Sequence, residues 1–309
     1  MNEVIQVAHL SKAFAEVKAV DDLSFSVKTG EVYGFLGQNG AGKSTTIRML
    51  LSLVKPGSGS IHMFGKDLKD HRKLILRNIG AIIEKPDLYK YLTAYENLKI
   101  MSRLSGLQPD KKDLMDQLQR TGIADRAHSR VKTFSQGMKQ RLGIACALIH
   151  KPELIILDEP TNGLDPQGIA EVRNLILHLS REEKKTIFVS SHLLSEIELV
   201  ADSMLIIDKG RKIAEGRVSD LLNPADTLVQ VITDDDQTAS DLLSQSAWGK
   251  YMQEGKPITF RMHKNDIPDL TRFLVEKNIS VFSIQPKHSL EDYFLSLTTD
   301  SQHVAAYRN

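Results

Sequence analysis

Two short stretches of the chain combine residue types that handle phosphate. The run Gly37-Gln38-Asn39-Gly40-Ala41-Gly42-Lys43-Ser44 satisfies the pattern G-x-x-x-x-G-K-[ST]. Its glycines let successive backbone N–H groups converge on phosphate oxygens at the start of a helix. Lys43 then supplies a point charge for the β- and γ-phosphates, Ser44 a hydroxyl for Mg²⁺, and Thr45 a second phosphate donor. Further along, the apolar run 154–157 ends in Asp158 and is followed at once by Glu159. A buried strand delivers its last carboxylate to a metal at the sheet edge, and a second carboxylate next to it can polarise an attacking water. Alone, an acidic pair after an apolar run reads as a solvated turn and a Gly-rich octapeptide as an ordinary loop; together they point to a nucleoside triphosphate and its hydrolysis.

The elements around these residues must be a strand, a loop and a helix. Residues 4–10 and 23–27 alternate apolar and polar side chains, and 31–36 is an extended run ending in glycine, so the loop follows a strand. Residues 44–53 carry helical spacing that stops ahead of Pro56. Runs 154–157, 186–189 and 204–207 have the continuous apolar character of strands buried on both faces, whereas residues from about 88 to 150 are helical in period. The expected fold is thus an α/β core that opens with short strands and is interrupted by a helical insert. A turn at Asn223-Pro224 and the acidic run 234–236 mark a change of organisation. Beyond it the pattern predicts strands at 227–233, 257–262 and 279–285 and helices at 237–246, 266–277 and 289–297. The domains expected are 1–222, with the helical subdomain at 88–150, and a small α+β domain at 225–300, followed by a tail at 301–309.

Taken in order, further segments resemble the ATP-binding cassette (ABC) family. Phe134-Ser135-Gln136-Gly137-Met138-Lys139-Gln140-Arg141 is similar to the family signature, commonly Leu-Ser-Gly-Gly-Gln, with Ser135 and Gly137 matching its core. By itself the segment reads as a helix cap. Asn162-Gly163-Leu164-Asp165 resembles the loop through which two protomers touch, and Ser190-Ser191-His192 the family's switch histidine, which contacts the γ-phosphate and helps hold Glu159 and the water. Phe14 matches the aromatic that stacks on adenine. Glu84 stands where the family usually has glutamine; a carboxylate accepts but cannot donate hydrogen bonds and adds charge beside Mg²⁺. Glu84, the Phe-Ser-x-Gly-Met-Lys-Gln-Arg segment and Leu-Thr-Ala-Tyr-Glu-Asn-Leu at 92–98 are similar to the bacitracin and lantibiotic exporter branch. The closing segment Ser289-Leu290-Glu291-Asp292-Tyr293-Phe294-Leu295 looks like that of exporter ATPases, and its apolar face reads as packing.

The resemblance implies the ATPase subunit of an exporter, an α/β phosphate-loop fold with an antiparallel β subdomain and a helical insert, ATP and Mg²⁺ as ligands, and a head-to-tail homodimer whose ATP lies between one loop 37–45 and the other chain's 135–138. It further implies separate transmembrane permease subunits, coupled through the groove at 84–95. Bulk composition agrees. Lys plus Arg (40) against Asp plus Glu (39) leaves a net charge of +1, which gives no field for nucleic acid. That argues against the rival of a non-transport ABC ATPase on nucleic acid or ribosomes, as intact Lys43, Asp158, Glu159 and His192 argue against a regulatory module that holds ATP without turnover. The single Cys146 forms no internal disulfide, and no uncharged stretch reaches the ~18 residues of a membrane span. The expected location is cytoplasmic, peripheral on the inner face of the cell membrane.

Overall fold

In a computed structural model the residues described are 3–221, 227–253 and 257–288, and the chain divides into two units, Met1–Arg217 and Val218–Asn309. The first unit is built on a six-stranded sheet in the order β10 (Arg211–Arg217), β9 (Ser203–Asp208), β3 (Val32–Leu36), β8 (Thr186–Ser191), β7 (Leu154–Asp158), β6 (Ile79–Ile82). All neighbours are parallel except β10. Every residue of β3, β7 and β8 is buried, the polar Thr186, Ser190, Ser191 and Asp158 included, alongside their apolar runs.

A second, antiparallel sheet runs β2 (Val17–Lys28), β1 (Glu3–Phe14), β4 (Ser58–Met63), β5 (Lys66–Asp67). Strand β1 is longer than its alternating stretch 4–10, because its pairing with β2 continues to Phe14 through register shifts beyond Val7 that the apolar period does not encode. Phe25 of β2 packs against Tyr33, Phe35 and Phe188 with ring centroids 6.0–6.1 Å apart, which fastens one sheet to the other. Tyr33 also donates to Glu215 at 2.8 Å; burial and that carboxylate push the phenol well above its ordinary range.

Helix α1 (Lys43–Leu50) follows the glycine loop and stops three residues earlier than its apolar spacing suggests, with Ser52 at positive φ. Helix α2 (Leu68–Leu76) precedes β6. Between β6 and β7 lie three helices and no named strand: α3 (Ala94–Leu104), α4 (Lys111–Arg120) and α5 (Gln136–Leu148). They share their own core of Leu98, Leu114, Leu118, Val131, Phe134 and Leu142. Helices α6 (Pro166–Arg181) and α7 (Leu194–Val200) connect β7, β8 and β9.

The second unit begins with α8 (Val218–Leu221). It contains an antiparallel sheet in the order β12 (Met252–Gln253), β13 (Ile258–Met262), β11 (Thr227–Thr233), β14 (Val281–His288), with α9 (Asp236–Ser244) and α10 (Ile267–Glu276). Its core gathers Val229, Val231, Phe260, Leu243, Leu270 and Leu274. The two-residue β12 has no sequence signature, and β14 starts later than residue 279. The turn at Asn223-Pro224, the helix 289–297 and the tail 301–309 lie outside the described residues.

Candidate functional site

The phosphate loop leaves β3 and enters α1 with a geometry that glycine alone tolerates at two points. Gly42, the N-cap of α1, has φ +107°, and a Cβ there would stand 2.3 Å from the Ala19 carbonyl oxygen. Gly37 is closed in the same way, with Ile207 O at 2.7 Å from a built Cβ, and donates its N–H to Ser191 O at 3.3 Å. Gln38 accepts from Ala41 N, and Asn39 and Gly40 are exposed. Helix α1 has no side-chain cap and no acidic residue in its first turn. Helices α3, α4, α5 and α6 are all capped by Thr93, Asp110, Ser135 and Asp165. The first turn of α1 therefore has no side-chain acceptor of its own, which suits an anion.

At the ends of β7 and β8 the acidic pair meets this loop. Lys43 is 5% exposed; its Nζ donates to Gly37 O at 2.6 Å and Gln38 O at 3.2 Å, and lies 3.0 Å from Glu159 Oε1. That last contact is an ion pair without hydrogen-bond alignment, since Glu159 Oε1 is buried with no hydrogen-bond partner. Glu159 Oε2 sits 2.7 Å from His192 Nδ1. Glu159 itself has φ +49°, so the chain turns sharply out of the strand at the residue that carries the second carboxylate. Asp158 is 1% exposed: its Oδ1 accepts from Ser190 Oγ at 2.6 Å, and its Oδ2 is buried with no partner. An orphaned anionic oxygen in a buried position is costly, and a hard cation relieves it. Among the described residues no three His, Cys, Asp or Glu side chains converge to hold a metal by themselves. A cation at Asp158 thus needs further oxygens, which a nucleotide's phosphates and water provide.

A family model described as ABC transporter matches residues 20–162. A bacitracin transport ATP-binding protein of Bacillus licheniformis is 44% identical over 301 residues, covering 96% of this chain and 98% of that protein. The chain belongs to the ABC transporter family. A lantibiotic transport ATP-binding protein of Streptococcus pyogenes is 42% identical over 212 residues, 69% of this chain and 90% of that one. Among solved structures, an ATP-binding subunit of an ABC transporter superposes with a TM-score of 0.61 at 33% identity, covering 71% of this chain and 91% of that one. This chain is accordingly the ATP-binding, ATP-hydrolysing subunit of an ABC transporter.

The remaining residues singled out for the ABC cassette are placed as follows. Ser44 and Thr45 lie half-buried in the first turn of α1. Phe14, at the end of β1, is 47% exposed, with Lys12 Nζ 5.2 Å from its ring centroid. Ser135 is exposed and caps α5, accepting from Met138 N at 3.2 Å; Gly137 is buried, and a Cβ on it would meet Gly168 Cα at 3.4 Å. Neither hydrogen-bonds the phosphate loop. Asp165 caps α6 through Gly168 N at 2.9 Å. Glu84 has φ +58° and pairs with Arg48 of α1 at 2.5 Å.

Several residues of the ABC site escape sequence reasoning. Ser190 accepts from Glu159 N at 2.9 Å while donating to Asp158, and so fixes both carboxylates. Its role follows from the register Asp158↔Ser190 between β7 and β8, which no periodicity reveals. Thr161, Ser191 and Glu196 form a second cluster behind the histidine, and Arg48 answers the charge of Glu84.

Proposed function

We propose that this chain powers export of an antibiotic, peptide or other drug-like compound through separate membrane subunits, working as a head-to-tail pair. The observation that carries the mechanism is the line Lys43, Glu159, His192 at the edge of the parallel sheet, beside an Asp158 oxygen with no partner. The names of the bacitracin and lantibiotic relatives support the class of cargo. Among the described residues no helix is long and apolar enough to cross a membrane, which agrees with a permease made by other chains.

Loop amides 37–45 and Lys43 bind and orient the β- and γ-phosphates, and Phe14 offers its exposed face to the adenine. Ser44 and Asp158, with Glu84, are the residues that would hold Mg²⁺, which would supply charge neutralisation on the phosphates. Lys43 must exchange its bonds to the Gly37 and Gln38 carbonyls for phosphate oxygens, a swap of like for better since the new partners are anionic. Glu159 aligns a water and takes its proton as the water oxygen bonds to the γ-phosphorus; the bond to the β-phosphate oxygen breaks, leaving ADP and phosphate. His192, held on Glu159 Oε2 through Nδ1, keeps Nε2 for the γ-phosphate.

In this reading Ser135 and Gly137 complete the site from the second chain, as the likeness of 134–141 to the family signature implies; within one chain Ser135 bonds Met138 N and Gly137 packs on Gly168. The test is Glu159→Gln with ATP and Mg²⁺. Phosphate release drops at least a hundredfold while light scattering reports an ATP-dependent dimer. Undiminished turnover refutes the role of Glu159, and a monomer at saturating ATP refutes the paired site. For the cargo, cells carrying the chain with its membrane partner tolerate more peptide antibiotic than cells carrying Lys43→Ala; equal tolerance refutes export.

A further inference from the structure

One carboxylate oxygen joins two segments that the hydrolytic site depends on. Glu196, in the first turn of α7, accepts at Oε2 from Thr161 Oγ1 at 2.5 Å and from Ser191 Oγ at 2.9 Å. Ser191 is 2% exposed, and its oxygen in turn accepts from Leu193 N at 3.0 Å. That bond closes a hydroxyl turn around residue 192. With its proton given to Glu196, the Ser191 hydroxyl has its lone pairs left for Leu193 N, so the carboxylate sets the rotor that holds the backbone of His192. The Ser191 carbonyl meanwhile accepts from Gly37 N, the first amide of the phosphate loop. Thr161 stands two residues after Glu159 and opens the segment Asn162-Gly163-Leu164-Asp165 that leads to the cap of α6. Leu164 N bonds Thr161 O at 3.2 Å and Asn162 N bonds Glu159 O at 3.1 Å, so a displacement at Thr161 reaches Glu159 within two residues.

We propose that Glu196 is a positioning residue for ATP hydrolysis, tying the loop that follows Glu159 to the turn that carries His192, so that the carboxylate and the histidine keep their 2.7 Å contact as nucleotide arrives. In this role it acts through Thr161 and Ser191. A divided carboxylate suits this task because one oxygen can hold two hydroxyl donors at once in a partly buried place, and charge-assisted bonds of this kind are about twice as strong as neutral ones. The inference rests on the roles proposed for Glu159 and His192.

The experiment compares Glu196→Ala, Glu196→Gln and Thr161→Val in the full-length chain, measuring kcat and KM for ATP, nucleotide affinity and thermal unfolding. Glu196→Ala lowers kcat roughly ten- to a hundredfold with KM and affinity within about twofold, because a misaligned base costs the chemical step and not binding. Glu196→Gln, which still accepts through its amide oxygen, recovers most of kcat. Thr161→Val removes a single hydroxyl without loss of volume and lowers kcat in the same sense, and adding it to Glu196→Ala costs little more. Wild-type kcat in Glu196→Ala overturns the proposal. So does a loss that simply tracks the unfolded fraction, a rise in KM at constant kcat, or additive effects of Glu196→Ala and Thr161→Val. If Glu159→Gln retains full turnover, the reading of the site fails first, whatever Glu196 does.

Discussion

At the residue scale, Ser135 is at once a helix cap and the residue expected to meet the γ-phosphate, and substitution separates the two. Ser135→Ala removes the acceptor for Met138 N and costs about 1 kcal/mol, whereas aspartate caps as well as serine and leaves stability within roughly 0.5 kcal/mol. Ser135→Asp also sets a carboxylate against phosphate, so its turnover falls at least tenfold while its unfolding midpoint holds; a cap and nothing more would leave turnover at the wild-type rate. Cys146 gives a second prediction. It packs on the helical core, and although the residue is not fully enclosed, burial pushes its thiol up to about 12. Alkylation at pH 8 is on the order of a thousandfold slower in the folded chain than in urea, since the thiolate is the nucleophile. The sign for stability follows. The unfolded thiol loses its proton first, near its ordinary 8.5, so this group's contribution is complete below that pH and declines as pH rises towards 12. A folded chain alkylated as fast as the unfolded one contradicts both statements. Residues whose role rests on type and spacing, such as Lys43 and Asp158, could be singled out in the sequence alone. Ser190 could not, because its role comes from the register of two strands distant in the chain.

Elements position these residues by close approach. Helix α5, which Ser135 caps, lies against β6 and the segment after it so tightly that a Cβ on Gly80 would stand 2.2 Å from the Ala147 carbonyl oxygen, and one on Gly143 2.5 Å from Pro86. Gly80→Ala forces backbone from backbone and costs about 1–3 kcal/mol, roughly 3–10 °C in midpoint. Its functional mark is distinct: nucleotide binding by loop 37–45 persists, because Lys43 and its partners touch none of this contact, while hydrolysis falls as α5 shifts with Ser135. Calorimetry and a fluorescent-nucleotide titration check the two halves, and equal loss of binding and turnover contradicts the split. The same closeness explains what was legible. Buried strands β3, β7 and β8 and the amphipathic helices stand out because burial dictates their composition. The length of β1 and the existence of β12 depend on pairing with partners across the sheet, and composition carries no trace of a partner. Likewise α1 ends at Leu50 although Leu51 and Leu53 keep its apolar spacing, since Ser52 takes a left-handed turn that apolar period does not signal.

At the scale of the whole molecule, the decisive matter is where the second half of each ATP site comes from. Lys43, Asp158, Glu159 and His192 form one cluster, while Ser135 and Gly137 are engaged elsewhere in the same chain. The proposed head-to-tail pair would hold two sites, each built from one chain's loop and the other chain's signature. Turnover per chain then rises with protein concentration until dimers saturate. Mixing two defective chains gives a sharper consequence. A Lys43→Ala chain keeps its signature and a Ser135→Asp chain keeps its phosphate loop; alone, each pairs into dimers in which both sites carry one defect. In a mixed dimer, one site collects both defects and the other collects neither. Random pairing makes half the dimers mixed, each with one intact site of two, so an equimolar mixture recovers about a quarter of wild-type turnover. If all the residues of a site came from the same chain, no mixture could recover anything, because every chain present would bear a lesion in its own site.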